Sequence, residues 1–141
     1  DIDFSAIMVL RTLSDMKASQ TEVPLVAQYK SGDDEGFVRE LFRKTVVNYK
    51  EYKEYIDRFT QNWDVERIAF MDNLIMASAM AELVTFPSIP VKVTLDEFIE
   101  IAKYYSTPGS SVFINGVLDK IVESLTAEGR IQKVGRGLLE E

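Results

Sequence analysis

From Val65 to Val84 the chain carries no glycine or proline and is apolar around most of a helical circumference. Val65, Ile68, Phe70, Leu74, Ile75, Met76, Met80 and Leu83, with alanines at 69, 77, 79 and 81, leave only a narrow polar strip. A helix apolar nearly all round is one enclosed by other helices. The strip, Arg67, Asp72, Asn73 and Glu82, is too polar for a membrane span. Asp64 is placed to cap the helix and Glu66 to sit in its first turn, where the helix dipole favours an acid. Pro87 and Pro90 end it. Residues 64–85 would form a rod of roughly 33 Å, about the width of a small domain. This predicts an all-α fold, a compact bundle of about six helices around one long central helix.

The flanking stretches supply the other helices. Residues 2–17 place Phe4, Ile7, Met8, Leu10 and Leu13 at helical spacing. Residues 18–32, with Pro24 and Gly32, predict a loop. Asp33 then caps a helix over 34–47, Asn48 breaks it, and another follows over 49–61. Tyr52 and Tyr55 in that segment have the spacing of core residues rather than of base-stacking platforms. Beyond the central helix, 85–93 predicts an extended connector. Thr94 with Glu97 forms a capping box that would start the next helix. Thr107 followed by Pro108 would cap the last one, which runs to about 127 and ends at Gly129. Residues 1–129 are expected to form one domain and 130–141 a frayed tail.

The composition narrows the chemistry. Among 141 residues there is no histidine and no cysteine. The commonest acid–base group and the thiolate nucleophile are thus missing. No nucleophile elbow, phosphate-cradling glycine loop or paired-carboxylate metal motif occurs, so no enzyme, cofactor or metal is expected. Net charge is −7, which argues against nonspecific nucleic-acid binding as the main activity. The exceptions are local: 37–61 carries 6 basic and 4 acidic side chains, and 130–141 carries 3 and 2. With no signal peptide and no long apolar run, a cytoplasmic location is expected. A chain that opens on Asp1 rather than Met is expected to be part of something longer. Asn115-Gly116, in the middle of a predicted helix, resists a purely local account, since glycine there costs about 1 kcal/mol against alanine. Either a neighbouring helix approaches closely, or a partner does.

The order of segments after residue 62 resembles the NusB family of transcription antitermination factors. W-D-V-E-R-I-A-F-M-D-N-L-I-M-A-S-A-M-A-E-L is followed by I-P-V-K-V-T-L-D-E-F-I-E-I-A-K-Y-Y-S and then F-I-N-G-V-L-D. A tryptophan-led helix ending in Glu82-Leu83, a connector from Pro90 to Val93, a helix carrying Ala102-Lys103 and the run Phe113 to Leu118 are similar to that family's pattern over 62–122. Residues 33–61 fit its middle helices. There are departures. Asn73 and Ala77 stand where family members usually carry arginines, and Ala81 where a tyrosine is common. Residues 1–20 hold only Arg11 and Lys17 as cations, not an arginine-rich arm. The resemblance is to a longer, Bacteroidetes-type form in which the NusB-like part is C-terminal.

That resemblance implies an all-α binding protein. It would pair with the small-subunit ribosomal protein NusE, bind single-stranded boxA-like RNA, and so act indirectly on the RNA polymerase elongation complex. On matched positions it implies Lys103, Phe113, Asn115 and Lys120 as RNA candidates. Single-stranded RNA is read by aromatic stacking and hydrogen bonds to splayed bases, with cations on phosphates. Glu82 and Asp119 suit a basic protein partner instead, which an acidic surface steers. Each has a plainer reading: Phe113 as core, Lys103 and Lys120 as solvated charge, Glu82 as a structural hydrogen-bonding group. Two other functions fit the same fold. One is an RNA-binding accessory domain of a ribosomal RNA cytosine methyltransferase. The other is a structural module, with a homodimer among its forms, that does not bind RNA.

Overall fold

The computed structural model describes residues 2–17, 32–61 and 69–139. Five α-helices follow in order: α1 (Ile2–Asp15), α2 (Gly32–Thr60), α3 (Phe70–Thr85), α4 (Val91–Tyr105) and α5 (Ser110–Ala127). A short 3-10 turn, Gly135–Leu138, closes the series. The chain divides into two compact units, 1–37 and 38–141. The first holds α1, in which the hydroxyls of Thr12 and Ser14 donate back to the carbonyls of Met8 and Leu10. Everything that follows concerns the second.

α3 is the enclosed helix the sequence predicts. Ile75, Met76, Ala77, Ala79, Met80, Ala81 and Leu83 are all buried. Around it pack Tyr52, Tyr55 and Ile56 of α2, Phe98 and Ala102 of α4, and Ile114, Val117, Leu118, Ile121 and Leu125 of α5. The alanines leave room for those neighbours, and the long side chains fill the space between them. Tyr52 and Tyr55 are core residues, as their spacing predicts. The Tyr55 hydroxyl still reaches Ser124 Oγ at 2.6 Å and Glu128 Oε1 at 2.8 Å.

Several boundaries differ from the sequence reading, each for a visible reason. Asn48 does not break α2. Its amide donates to the Lys44 carbonyl at 2.9 Å, back along the helix, so the two predicted helices are one. Asp33 lies inside the first turn of α2 rather than before it. The predicted cap Asp64 and first-turn Glu66 lie outside the described residues, and α3 is described from Phe70. Thr94 is not a cap either. α4 starts at Val91, straight after Pro90, and Thr94 is buried within it. α5 starts at Ser110 after Gly109, whose φ of 90° suits glycine, so Thr107 and Pro108 belong to the turn before it. Gly129 does end α5, with φ 69° and the Arg130 amide donating to the Leu125 carbonyl at 2.9 Å.

The segment after α5 is not frayed over its described length. Val134 donates its amide to the Pro87 carbonyl at 3.0 Å. Lys133 donates its ammonium to the carbonyls of Leu83 and Phe86, at 3.1 and 3.0 Å, where α3 runs out of its own donors. Gly137 lies so close to Pro87 that an added Cβ would sit 2.0 Å from its carbonyl oxygen. Residues 131–139 therefore strap the α3–α4 connector.

Candidate nucleic-acid interface

α4 ends and α5 begins at the same end of the second unit, joined by residues 106–109. One carboxylate holds this turn. Asp72, in the first turn of α3, is buried and accepts hydrogen bonds from the hydroxyls of Ser106 and Ser110, the latter at 3.1 Å. Thr107 Oγ1 and Ser110 Oγ lie 2.7 Å apart and complete the network. On the last turn of α4 two adjacent rings stand in solvent. Tyr104 is 79% exposed and Tyr105 64%. Val112, on the first turn of α5, is exposed as well.

From there α5 shows an open outer face. Val112, Asn115, Gly116, Asp119 and Lys120 are all exposed and recur at spacings of three and four. The Asn115 amide donates to Asp119 Oδ2 at 3.3 Å, so two predicted site residues meet directly. A Cβ added at Gly116 would meet nothing within 4 Å. Close approach of a neighbouring helix thus does not explain this glycine.

The other predicted residues are placed differently. Phe113 is half-buried and packs against the core from the inner side of α5. Lys103 is exposed on α4, where its ammonium pairs with Glu100; that bond raises the lysine pKa. Glu82 is 6% exposed and offers no carboxylate to a partner surface. It accepts a hydrogen bond from Thr94 Oγ1 at 2.8 Å. Burial pushes its pKa up, while the Thr94 bond and the nearby Lys133 pull it down. The plainer reading of Glu82, as a structural group, is the one its position supports. Among the described residues, no group of three or more acidic side chains is placed to hold a metal ion, and no helix is long and apolar enough to cross a membrane.

A family model for the NusB family matches residues 6–123. The chain belongs to the NusB family. Among named relatives, the transcription antitermination protein NusB of Salinibacter ruber is 46% identical over 103 residues, covering 73% of this chain and 64% of that protein. The protein of the same name from Chloroherpeton thalassium is 35% identical over 116 residues, covering 82% and 54%. The chain therefore spans between about half and two-thirds of the length of these relatives. A solved structure of Thermotoga maritima NusB superposes with a TM-score of 0.62 at 29% identity, covering 85% of this chain and 84% of that one.

Within the NusB frame, the sequence reading passed over the most exposed aromatics of this end. Tyr104 and Tyr105 follow Lys103 directly, inside the quoted motif. A signal was available. Leu95, Phe98, Ile99 and Ala102 mark the inward stripe of α4, and the helical period places the next inward position at 106, not at 104 or 105. Two aromatic residues off the apolar stripe, just before a Ser-Thr-Pro-Gly turn, are rings the core does not require.

Proposed function

We propose that the chain acts as a NusB-type transcription antitermination factor. It binds boxA-type single-stranded RNA together with the ribosomal protein NusE, and the pair makes RNA polymerase elongation resistant to termination. The reading places it in the bacterial cytoplasm and assigns it no catalysis. The observation that carries it is the adjacent, solvent-facing pair Tyr104 and Tyr105 at the α4–α5 turn, within the part that matches the family. Exposed rings are stacking platforms for unpaired bases, and stacking suits an acidic protein because it needs no positive field. Asn115 and Lys120, on the adjoining face of α5, are the hydrogen-bonding and phosphate-contacting groups. Lys103 becomes available to a phosphate by exchanging its Glu100 partner. Phe113 supports the surface from beneath. Asp119, with the exposed Glu123 one turn on, is the acidic edge offered to the basic partner.

The test is a titration of a fluorescent boxA-like single strand with this chain, with NusE, and with both, at two salt concentrations. The expected result is that the pair binds more tightly than either protein alone, and that the advantage shrinks only modestly with salt. A pair that binds no better than NusE alone would end the proposal.

A further inference from the structure

We propose that Asp72 is a positioning residue for the aromatic end, setting through Ser106 and Ser110 the angle at which Tyr104 and Tyr105 meet single-stranded RNA. The inference rests on the RNA reading just given. Asp72 is 3% exposed, and no lysine or arginine among the described residues pairs with it. Its partners are hydroxyls on the two sides of one turn: Ser106, the residue that ends α4, and Ser110, the residue that begins α5. A buried carboxylate is an expensive way to stabilise a fold, and an apolar residue of similar volume commonly serves stability better. Its fit to two hydroxyls across a turn serves geometry instead. Tyr105 immediately precedes Ser106, and Tyr104 precedes that, at a helix end that would otherwise fray. Tying Ser106 to α3 removes that freedom before the RNA arrives. The rings then do not have to be ordered on binding.

The experiment is a double-mutant cycle on the full chain, measured as affinity for a single-stranded RNA carrying 2-aminopurine, alongside amide hydrogen exchange of residues 104–110. Asp72→Ala and Ser110→Ala are each made with Tyr104 and Tyr105 intact and with both changed to alanine. Ser110→Ala removes half of the tie and covers the case in which Asp72→Ala does not fold. The expected result is faster exchange across the turn, and an affinity loss of roughly tenfold for Asp72→Ala that vanishes when the tyrosines are already gone. Asp72→Asn, which keeps an acceptor, should recover part of it. An equal loss in both backgrounds would mean general destabilisation and would overturn the inference. So would faster exchange with unchanged affinity. A Tyr104→Ala/Tyr105→Ala protein with native Asp72 that binds RNA like the wild type would instead overturn the RNA reading itself, and the inference with it.

Discussion

The hydroxyl of Thr94 donates to the buried carboxylate of Glu82 across 2.8 Å, tying the start of α4 to the last turn of α3. The carboxylate is held in a place that disfavours its charge, since burial raises its pKa above the ordinary 4.5 more than Thr94 and Lys133 lower it. An acid whose pKa is higher folded than unfolded binds its proton more tightly in the native state. Its contribution to stability is complete below the ordinary value and is lost as pH rises through the raised one. Lys133 works the other way. Burial lowers its pKa from 10.5, so its contribution is present in alkali and is lost as pH falls through the lowered value, a window well above that of the glutamate. Glu82→Gln keeps an acceptor for Thr94 and removes the charge. We expect it to melt higher than the wild type at neutral pH, and to lack the wild type's decline in stability above pH 4.5. Calorimetry across that range checks both. A variant that melts lower at neutral pH would show that attraction to Lys133 outweighs desolvation.

Lys133 contributes more through its hydrogen bonds than through its charge. Its two carbonyl partners, Leu83 and Phe86, are at the C-terminal end of α3, where backbone acceptors lack intrahelical donors. Lys133→Met keeps the aliphatic stem and deletes the donors. The expected cost is about 1–2 kcal/mol, allowing for a half-buried site in which water replaces part of the loss. Urea unfolding measures it. Amide exchange over 131–139 should quicken in the same variant, because the strap loses its anchor. A change below about 0.3 kcal/mol would mean that the strap is held by Val134 and Gly137 alone.

Why α3 was legible and the strap was not is a matter of where the determining contacts lie. An apolar circumference is a local pattern, and it can be satisfied only by enclosure, so Met76 and Met80 announce their burial from sequence. Thr94 announces nothing: the same residue caps a helix or bonds a buried acid, depending on where Glu82 is, 12 residues away. Thr94 with Glu97 therefore reads as a capping box, although Pro90 starts the helix earlier. Lys133 is 50 residues from Leu83, and a lone lysine after a glycine looks like any solvated tail. Asn48 misleads for a related reason, since an asparagine that turns its amide back onto Lys44 leaves the helix intact. On the candidate surface, Asn115, Asp119 and Lys120 were legible as one outward face. Glu82 was not distinguishable from them, because a polar residue on a buried helix either reaches solvent or has an internal partner, and the spacing is the same. Tyr104 and Tyr105 were hidden by the resemblance that contained them.

The exposed pair gives a separable prediction. Neither ring is part of the core, so Tyr104→Ala and Tyr105→Ala should each change folding stability by less than about 0.5 kcal/mol. Stacking of one base on one ring is worth about 1–3 kcal/mol. Each substitution should therefore weaken RNA binding roughly tenfold or more while leaving the melting temperature in place. Replacement by phenylalanine should restore most of the affinity if stacking is the contact. A hydroxyl-dependent effect would instead assign the residue to hydrogen bonding.

Gly116 tests the outer face of α5 from both sides with one substitution. A mid-helix glycine costs about 0.5–1 kcal/mol relative to alanine, and here an added methyl meets nothing within 4 Å. Gly116→Ala should accordingly raise stability by about that amount in urea unfolding. A chain that keeps a destabilising residue in open space gains something else from it, and the bare backbone beside Asn115 is a point where a partner can come close. The same variant should therefore bind the RNA–NusE pair more weakly by about 1 kcal/mol, roughly fivefold. Asn115→Ala provides the control. It removes an exposed helix-surface contact with Asp119 worth a few tenths of a kcal/mol, so a larger loss of affinity would have to come from contact with the ligand. Higher stability with unchanged binding in Gly116→Ala would remove the outer face of α5 from the interface and leave the α4–α5 turn as its whole extent.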